Sequence, residues 1–183
     1  MVQNHPHEKL DGERIVLKKH ELAVAKEMYR LVDGDRVRLG RFLPWVTGMH
    51  SVADEEEYVR FSHVQWEDYK LFDYGIFLKE GDRYVGNVGA HTLSWDDERC
   101  EIGYWIAGGF EGSGLMSEAV GVLGDELFRL GFHRIEIHCD PDNLRSAAVP
   151  KRCGYELEGV MRDHKIAGGK RRSTMIWSKL RRG

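Results

Sequence analysis

Cysteine is scarce in this chain of 183 residues: Cys100, Cys139 and Cys153 are an odd number set far apart. That excludes a disulfide framework and fits reduced, mostly buried thiols in a cytoplasmic protein. A metal site on Cys139 with His133 and His138 is disfavoured, because strand alternation sends His138 and Cys139 to opposite faces; no metal is expected. Long apolar runs are missing too. None approaches the ~20 residues of a membrane span, and residues 1–10 are polar, so neither a membrane segment nor a signal peptide is expected. A strong excess of one charge is also absent. The formal net charge of −3 leaves no general nucleic-acid footprint, and no direct nucleic-acid partner is expected. No linker or internal repeat is visible, so the chain reads as one domain over residues 1–183, with its core at about 10–181.

Against these absences stand 42% hydrophobic and 31% charged residues, the balance of a soluble globular protein. The most informative stretch is Trp105-Ile106-Ala107-Gly108-Gly109-Phe110-Glu111-Gly112-Ser113-Gly114-Leu115-Met116-Ser117-Glu118-Ala119. It joins a strand-like run, Cys100 to Ala107, to a helix-like run, Leu115 to Leu130. A glycine-rich turn feeding a helix offers free backbone N–H groups and the positive end of the helix dipole, which together hold a phosphate. Gly112 and Gly114 leave no Cβ to block close approach. An ATP-type loop would end Gly-Lys-Ser/Thr, and this one reads Gly114-Leu115-Met116. A dinucleotide fold would put three spaced glycines after its first strand, and this loop lies behind several. A phosphorylated cofactor of another kind is expected, with a plain αβ connection as the alternative.

Ahead of the loop, Arg14 to Lys18 is strand-like and Glu21 to Leu31 helical. Asp33 to His50 reads as a loop-rich connection. Ser51-Val52-Ala53-Asp54 fits a capping box before a helix from Glu55 to Asp68. Strands are expected at Phe72–Lys79, Arg83–Leu93 and Cys100–Ala107, the first two joined at Gly81-Asp82. Behind the loop come a strand at Arg134–Cys139 and a helix after Asn143. Two final strands follow, Tyr155–Arg162 and Arg172–Leu180, turned at Gly168-Gly169. The expected fold class is α+β, layered α/β/α: a mixed, mostly antiparallel sheet with helices on both faces. The strands from Cys100 and Arg134 would be parallel, since a helix crosses between them.

Four segments in this order resemble the GNAT superfamily of acetyl-CoA-dependent N-acetyltransferases. They are Leu43-Pro44-Trp45-Val46, Glu101-Ile102-Gly103-Tyr104-Trp105, Gly112-Ser113-Gly114-Leu115-Met116-Ser117-Glu118-Ala119 and Asn143-Leu144-Arg145-Ser146. Within the superfamily the chain is similar to the RimL-type branch, the ribosomal-protein N-terminal acetyltransferases. The resemblance implies a splayed parallel strand pair with the pantetheine of acetyl-CoA in the slot between them. Backbone contacts would come from Trp105, Ile106 and Ala107. Pyrophosphate would sit on the N–H groups of Gly112, Ser113, Gly114, Leu115 and Met116, and Asn143 and Ser146 would reach the pantetheine. The acceptor would be an amine, first the N-terminal α-amine of a ribosomal protein, attacked directly in a ternary complex. A small-molecule acceptor (polyamine, aminoglycoside or amino-acid analogue) and a non-catalytic acyl-CoA-binding module are the alternatives. A homodimer is a further expectation of the branch.

Amide formation from a thioester needs a neutral amine, a stabilised oxyanion and a proton for the departing thiolate. Glu101 is the expected base, since alternation places it with Gly103 and Trp105; a solvated or arginine-paired glutamate is the alternative. Ser146 is the expected donor to the thiolate, directly or through water; a helix-start serine bonding backbone is the alternative. Many superfamily members carry a tyrosine four residues on, where this chain has Pro150, and no tyrosine is seen nearby to replace it. Asn143 is the expected N-cap of the same helix. Glu111 departs from the family's Gln or Arg, so its side chain should turn away from the pyrophosphate. Lys165 stands near where the branch can carry a glutamate base, which leaves Asp163 and His164 as alternatives. Arg41, Phe42, Trp45 and Tyr69 are expected to wall the acceptor side, with a basic final hairpin that would suit an acidic partner.

Overall fold

A computed structural model describes residues 4–182; residues 1–3 and 183, which the expected domain and the polar N-terminal run take in, lie outside the described residues. Eight strands form one sheet: β1 (Lys9–Asp11), β2 (Ile15–Lys19), β3 (Phe72–Leu78), β4 (Arg83–Ser94), β5 (Arg99–Ile106), β6 (Arg134–Cys139), β7 (Glu156–Ala167) and β8 (Lys170–Leu180). Their order is β1-β2-β3-β4-β5-β6-β8-β7, and every neighbouring pair is antiparallel except β5 with β6. Among the described residues no helix is long and apolar enough to cross a membrane.

Alternation divides the sheet into two faces. Phe72, Tyr74, Val88, Ile102, Ile135 and Ile137 point to one face and pack under α4 (Leu115–Leu130), whose Ala119, Leu123 and Leu127 are fully buried. On the opposite face, Tyr84 and Trp105 pack with Met28 and Val32 of α1 (Ala25–Gly34), Leu39 of α2 (Arg36–Gly40) and Val59 of α3 (Val52–Glu67). The capping box at the start of α3 is present: Asp54 N donates to Ser51 Oγ (3.3 Å) and Ser51 N to Asp54 Oδ2 (2.8 Å). The last helix, α5 (Leu144–Arg152), follows β6.

The feature that makes a site is the short β5–β6 pairing. It covers only Arg99↔Arg134, Cys100↔Ile135 and Glu101↔Glu136. Beyond Glu101, β5 continues with β4 alone to Ile106, and β6 continues with β8 alone to Cys139. A wedge-shaped slot therefore opens at Glu101, between two strands that each keep one unpaired edge.

Several expectations are corrected. The Glu21–Leu31 helix begins as a tight turn at Leu22–Val24 and runs on to Gly34. The supposed loop after Asp33 contains α2 and a second tight turn at Pro44–Gly48. The last hairpin is longer than its composition suggests, with only Gly168 and Gly169 (φ +58° and +72°) between its strands. Positive φ at both positions matches the right-handed twist of a two-residue hairpin turn. β1 is three residues with one buried side chain, too short to show a period.

Candidate active site

α4 starts without a side-chain cap, on Gly114 at φ +82°, and Gly112 before it stands at +74°. Both need a residue without Cβ. No acceptor among the described residues takes the N–H of Gly112, Ser113 or Gly114, and a helix leaves its first N–H groups, here Leu115 and Met116, without intrahelical partners. A Cβ on Gly112 would meet nothing within 4 Å, so no protein atom crowds this turn on that side. The loop is braced from behind. Arg14 donates from Nη1 to Ser113 O (2.9 Å) and from Nε to Glu118 Oε2 (2.9 Å), while Arg14 N donates to Glu118 Oε1 (2.7 Å). Burial pushes the Glu118 carboxyl up, but these hydrogen bonds more than offset it and hold the group below its ordinary range. The one acidic side chain in the first turn thus faces β2.

Glu111 turns aside as its chemistry requires. Its carboxylate accepts from Arg38 Nη1 (2.7 Å) and from the Arg145 guanidinium on α5. Arg38 is the hub of this corner: it chelates Asp35 and donates from Nη2 to Ile106 O (2.7 Å), while Gly108 N donates to Asp35 Oδ2 (2.8 Å). Arg38→Ala should free the end of β5 and leave Glu111 less neutralised beside the anion seat. We expect KM for acetyl-CoA to rise about 10-fold, the worth of one charge-assisted hydrogen bond, with kcat changed less; steady-state kinetics check it.

The slot edge corrects one expectation. Ala107 N donates to Val85 O, so Ala107, Trp105 and Gly103 spend their backbone groups on β4. Tyr104 and Ile106 present theirs to the slot, and Arg38 already holds the Ile106 carbonyl. Of Trp105, Ile106 and Ala107, only Ile106 offers a backbone group to the slot; the Trp105 ring is buried on the α1–α3 face, 6.1 Å from that of Trp45. On the other side Asn143 caps α5, with Ser146 N donating to Asn143 Oδ1 (3.2 Å). The expectation that no tyrosine stands near Ser146 is overturned. Tyr104 reaches across from β5, donates to Ser146 O (3.0 Å) and accepts from Ser146 Oγ (3.2 Å). Burial pushes the Tyr104 hydroxyl above its ordinary range, which keeps it protonated as a donor.

Glu101 stands where the slot opens, on the face away from α4. Its Oε2 lies 3.4 Å from His138 Nδ1 and its Oε1 3.9 Å from His91 Nε2. His138 Nε2 lies 2.7 Å from Glu136 Oε2, and Arg134 Nε donates to Glu136 Oε1 (2.7 Å). Gly103 lies beside them without a side chain, and a Cβ there would come within 3.0 Å of His91 Nε2. Further out, Arg41, Phe42, Asp140, Lys165 and Arg172 line a cavity of about 370 Å³ between α2 and the β7–β8 hairpin.

The comparisons with known proteins agree with this geometry. Residues 14–156 match the acetyltransferase (GNAT) domain. The chain belongs to the GNAT acetyltransferase family. It is 30% identical over 173 residues to YdaF of Bacillus subtilis (strain 168), a protein named for ribosomal N-acetylation, covering 93% of each chain. It is 27% identical to the ribosomal-protein-serine acetyltransferase of Escherichia coli (strain K12), over 75% of this chain and 76% of that one. Its fold matches RimL, the ribosomal L7/L12 α-N-protein acetyltransferase solved with coenzyme A, at a TM-score of 0.90 and 22% identity, covering 94% of this chain and 98% of that one. The microcin C7 self-immunity acetyltransferase MccE, solved with acetyl-CoA and AMP, matches at a TM-score of 0.87 and 27% identity, over 92% and 93%. The chain is thus an acetyl-CoA-dependent N-acetyltransferase with the mixed GNAT sheet and its one parallel pair.

Within this GNAT site several residues fall elsewhere than their sequence position suggested. Tyr69 is no acceptor wall: it stacks on His5 (centroids 4.1 Å apart) and meets Trp95 edge-on. His164 is engaged inside the hairpin, its Nδ1 lying 3.0 Å from Thr174 Oγ1, while Asp163 bonds there through its backbone N, which donates to Ser173 Oγ, and its side chain is exposed. Arg41 and Phe42 do line the cavity, with the Arg41 guanidinium over the Phe42 ring. His138 and Tyr104 were missed as site residues. His138 does face away from Cys139, which is buried under the α4 side. The available signal for its role was its place two residues past the parallel partner of Glu101.

Proposed function

We propose that the chain is one acetyltransferase domain that acetylates the N-terminal α-amine of a protein, in the first place a ribosomal protein, in the cytoplasm and by direct attack in a ternary complex. The observation that carries this reading is the open slot at Glu101 with a cation-lined cavity beyond it. Arg172 is neutralised by Asp140 (2.6 Å) and Asp142 (3.2 Å), but Arg41 and Lys165 have no carboxylate within ion-pair distance among the described residues, Lys165 acting on Asp140 only from farther off. Two free cations suit an acceptor with acidic groups near its amine, as the N-terminus of an acidic ribosomal protein would have. The same cations count against polyamines and aminoglycosides.

The roles follow from placement. Acetyl-CoA lays its pyrophosphate on Gly112–Met116 and its pantetheine along Tyr104 and Ile106. The ammonium of the acceptor meets Glu101, which draws off a proton directly or through a neighbour. The amine nitrogen then attacks the thioester carbon, the C–S bond breaks, and the thiolate is protonated through the Ser146–Tyr104 hydroxyl pair. A homodimer through the edge strand β7 belongs to the same proposal, since Leu157, Val160 and Ile166 are exposed along it.

CoA release followed with a thiol reagent tests the reading. A Ser-starting acidic peptide should be a substrate, and its N-terminally blocked twin and spermidine should not. Glu101→Gln and Ser146→Ala should each lower turnover about 100-fold, the low end for proton-transfer groups, with acetyl-CoA affinity held within about twofold. Unchanged turnover in both variants would remove these roles. A second reading, a small anionic amine, is favoured by Phe42 standing under both Arg41 and Arg172 (5.0 and 5.8 Å to the ring centroid), a platform for a flat group. MccE was solved with AMP, so an aminoacyl-adenylate analogue belongs in the same assay. Release with that analogue and not with the peptide would select this reading.

A further inference from the structure

We propose that His138 is the base that takes the acceptor's proton, with Glu101 seating the ammonium and Glu136 fixing the imidazole; the inference rests on the acetyltransferase reading above. Three observations carry it. His138 projects at the mouth of the slot, one step beyond the last β5–β6 pair, Glu101↔Glu136. Its Nε2 is within a short hydrogen bond of Glu136 Oε2 (2.7 Å). Glu136 is an acceptor there: burial pushes its carboxyl up, but bonds from Arg134 and His138 outweigh that and hold it below its ordinary range. The proton of the neutral ring is therefore on Nε2, and the lone pair of Nδ1 faces Glu101.

That edge is unfinished. Nδ1 and Glu101 Oε2 are 3.4 Å apart, longer than a well-made hydrogen bond, and the other Glu101 oxygen is 3.9 Å from His91 Nε2. Two acceptors facing each other need a donor between them, and an ammonium has three N–H groups to give. The local charge agrees. Glu136 and Glu158 both pair with Arg134, while Glu101 has no Lys or Arg within ion-pair distance among the described residues. The neighbour of His138 on β8 is Ile176, which is apolar, and the nearest titratable ring beyond it is His164, bonded to Thr174.

Magnitudes favour imidazole over carboxylate as the base. An ordinary carboxylate lies about 3.5 pK units below an α-amine and would leave the amine neutral about once in 3,000 transfers. An ordinary imidazole lies only about 1.3 units below, a penalty of roughly 20-fold. The step balances as follows. R–NH3+ gives one proton to His138 Nδ1, and the imidazolium is held between two carboxylates. The nitrogen lone pair attacks the thioester carbon and C–N forms. C–S breaks with its electron pair on sulfur, the amine's second proton reaches the thiolate through the Tyr104–Ser146 hydroxyls, and His138 returns its proton to water.

The test is the pH dependence of kcat/KM for His138→Gln beside wild type, with a Ser-starting acidic peptide and saturating acetyl-CoA. We expect a 100- to 1,000-fold loss at neutral pH, unchanged acetyl-CoA binding, and no acid limb where wild type should show one. Glu136→Gln, which only releases the ring, should lose about 10-fold. Histidine 15N NMR of the free enzyme should show His138 with its proton on Nε2 and the preference weakened in Glu136→Gln. Equal rates and equal pH limbs for His138→Gln and wild type would overturn the assignment while leaving the acetyltransferase reading intact, as would a proton on Nδ1. Wild type that binds acetyl-CoA but releases CoA with no amine would overturn the reading and this inference together.

Discussion

Gly114→Val should leave a folded protein that no longer binds acetyl-CoA. Gly114 sits at φ +82°, where an L side chain costs about 1–2 kcal/mol. A Cβ there would meet only Arg14 Nη2, at 3.4 Å, so strain and not collision is the folding penalty. The binding penalty is larger. Relaxing φ toward negative values rotates the N–H groups of Gly114 and Leu115 away from their common point. Hydrogen bonds to a charged group contribute about 1.5–3 kcal/mol each. Losing two of them corresponds to at least about 100-fold in Kd. Gly131→Val is the control. Gly131 also has a positive φ, +106°, and open space around its Cβ, but it caps the opposite end of α4 from the loop. It should show the same loss of stability with acetyl-CoA affinity unchanged. Calorimetric titration of both variants decides. If Gly114→Val binds within threefold of wild type, the anion seat is not where the loop places it.

How much of this was legible beforehand depends on the range of each interaction. The capping box at Ser51 and Asp54 and the Asn143 cap are local, with every partner within four residues, and the glycine loop is plain in its composition, so the sequence displays them directly. The parallel β5–β6 pair could be inferred from the helix between its strands. Its register could not, and register is what brings His138 beside Glu101, 37 positions away in sequence. Tyr104 was missed for a similar reason. A tyrosine was sought on α5, where Pro150 stands, whereas this one comes from the opposite wall of the slot. The 33–50 connection hid α2 because its helix is five residues long and polar, with one buried side chain, Leu39. Arg38 carries the corner through Asp35, Glu111 and a strand carbonyl, and only the first of these is local.

A second large effect should appear in stability, away from the site. Glu55 on α3 is 2% exposed, and its Oε1 has no hydrogen-bond partner. Burial pushes its carboxyl up to about 7, Asp54 adds to the rise and His20 opposes it. In the unfolded chain the group titrates near 4.5. The sign follows from proton counting. Between pH ~4.5 and ~7 the unfolded state releases this proton and the native state keeps it, so stability falls as pH rises through that window and levels off above it. A difference of about 2.5 pK units corresponds to roughly 3 kcal/mol. The surrounding polar network does not relieve the carboxyl. Asp73 already accepts from Tyr58 Oη (2.7 Å) and Asn87 Nδ2 (3.1 Å) and lies 2.9 Å from His20 Nε2, so its charge is satisfied while that of Glu55 is not. Glu55→Gln removes the ionisation and keeps the shape. Urea unfolding at pH 5, 6, 7 and 8 should show wild type losing stability relative to Glu55→Gln by about 2–3 kcal/mol across the series, with the variant the more stable at pH 8. Parallel curves would mean that Glu55 ionises as freely in the native protein as in the unfolded chain, through water or a partner reaching Oε1. Enzymatic rate should be the same in both, because α3 supports this face of the sheet without lining the slot at Glu101.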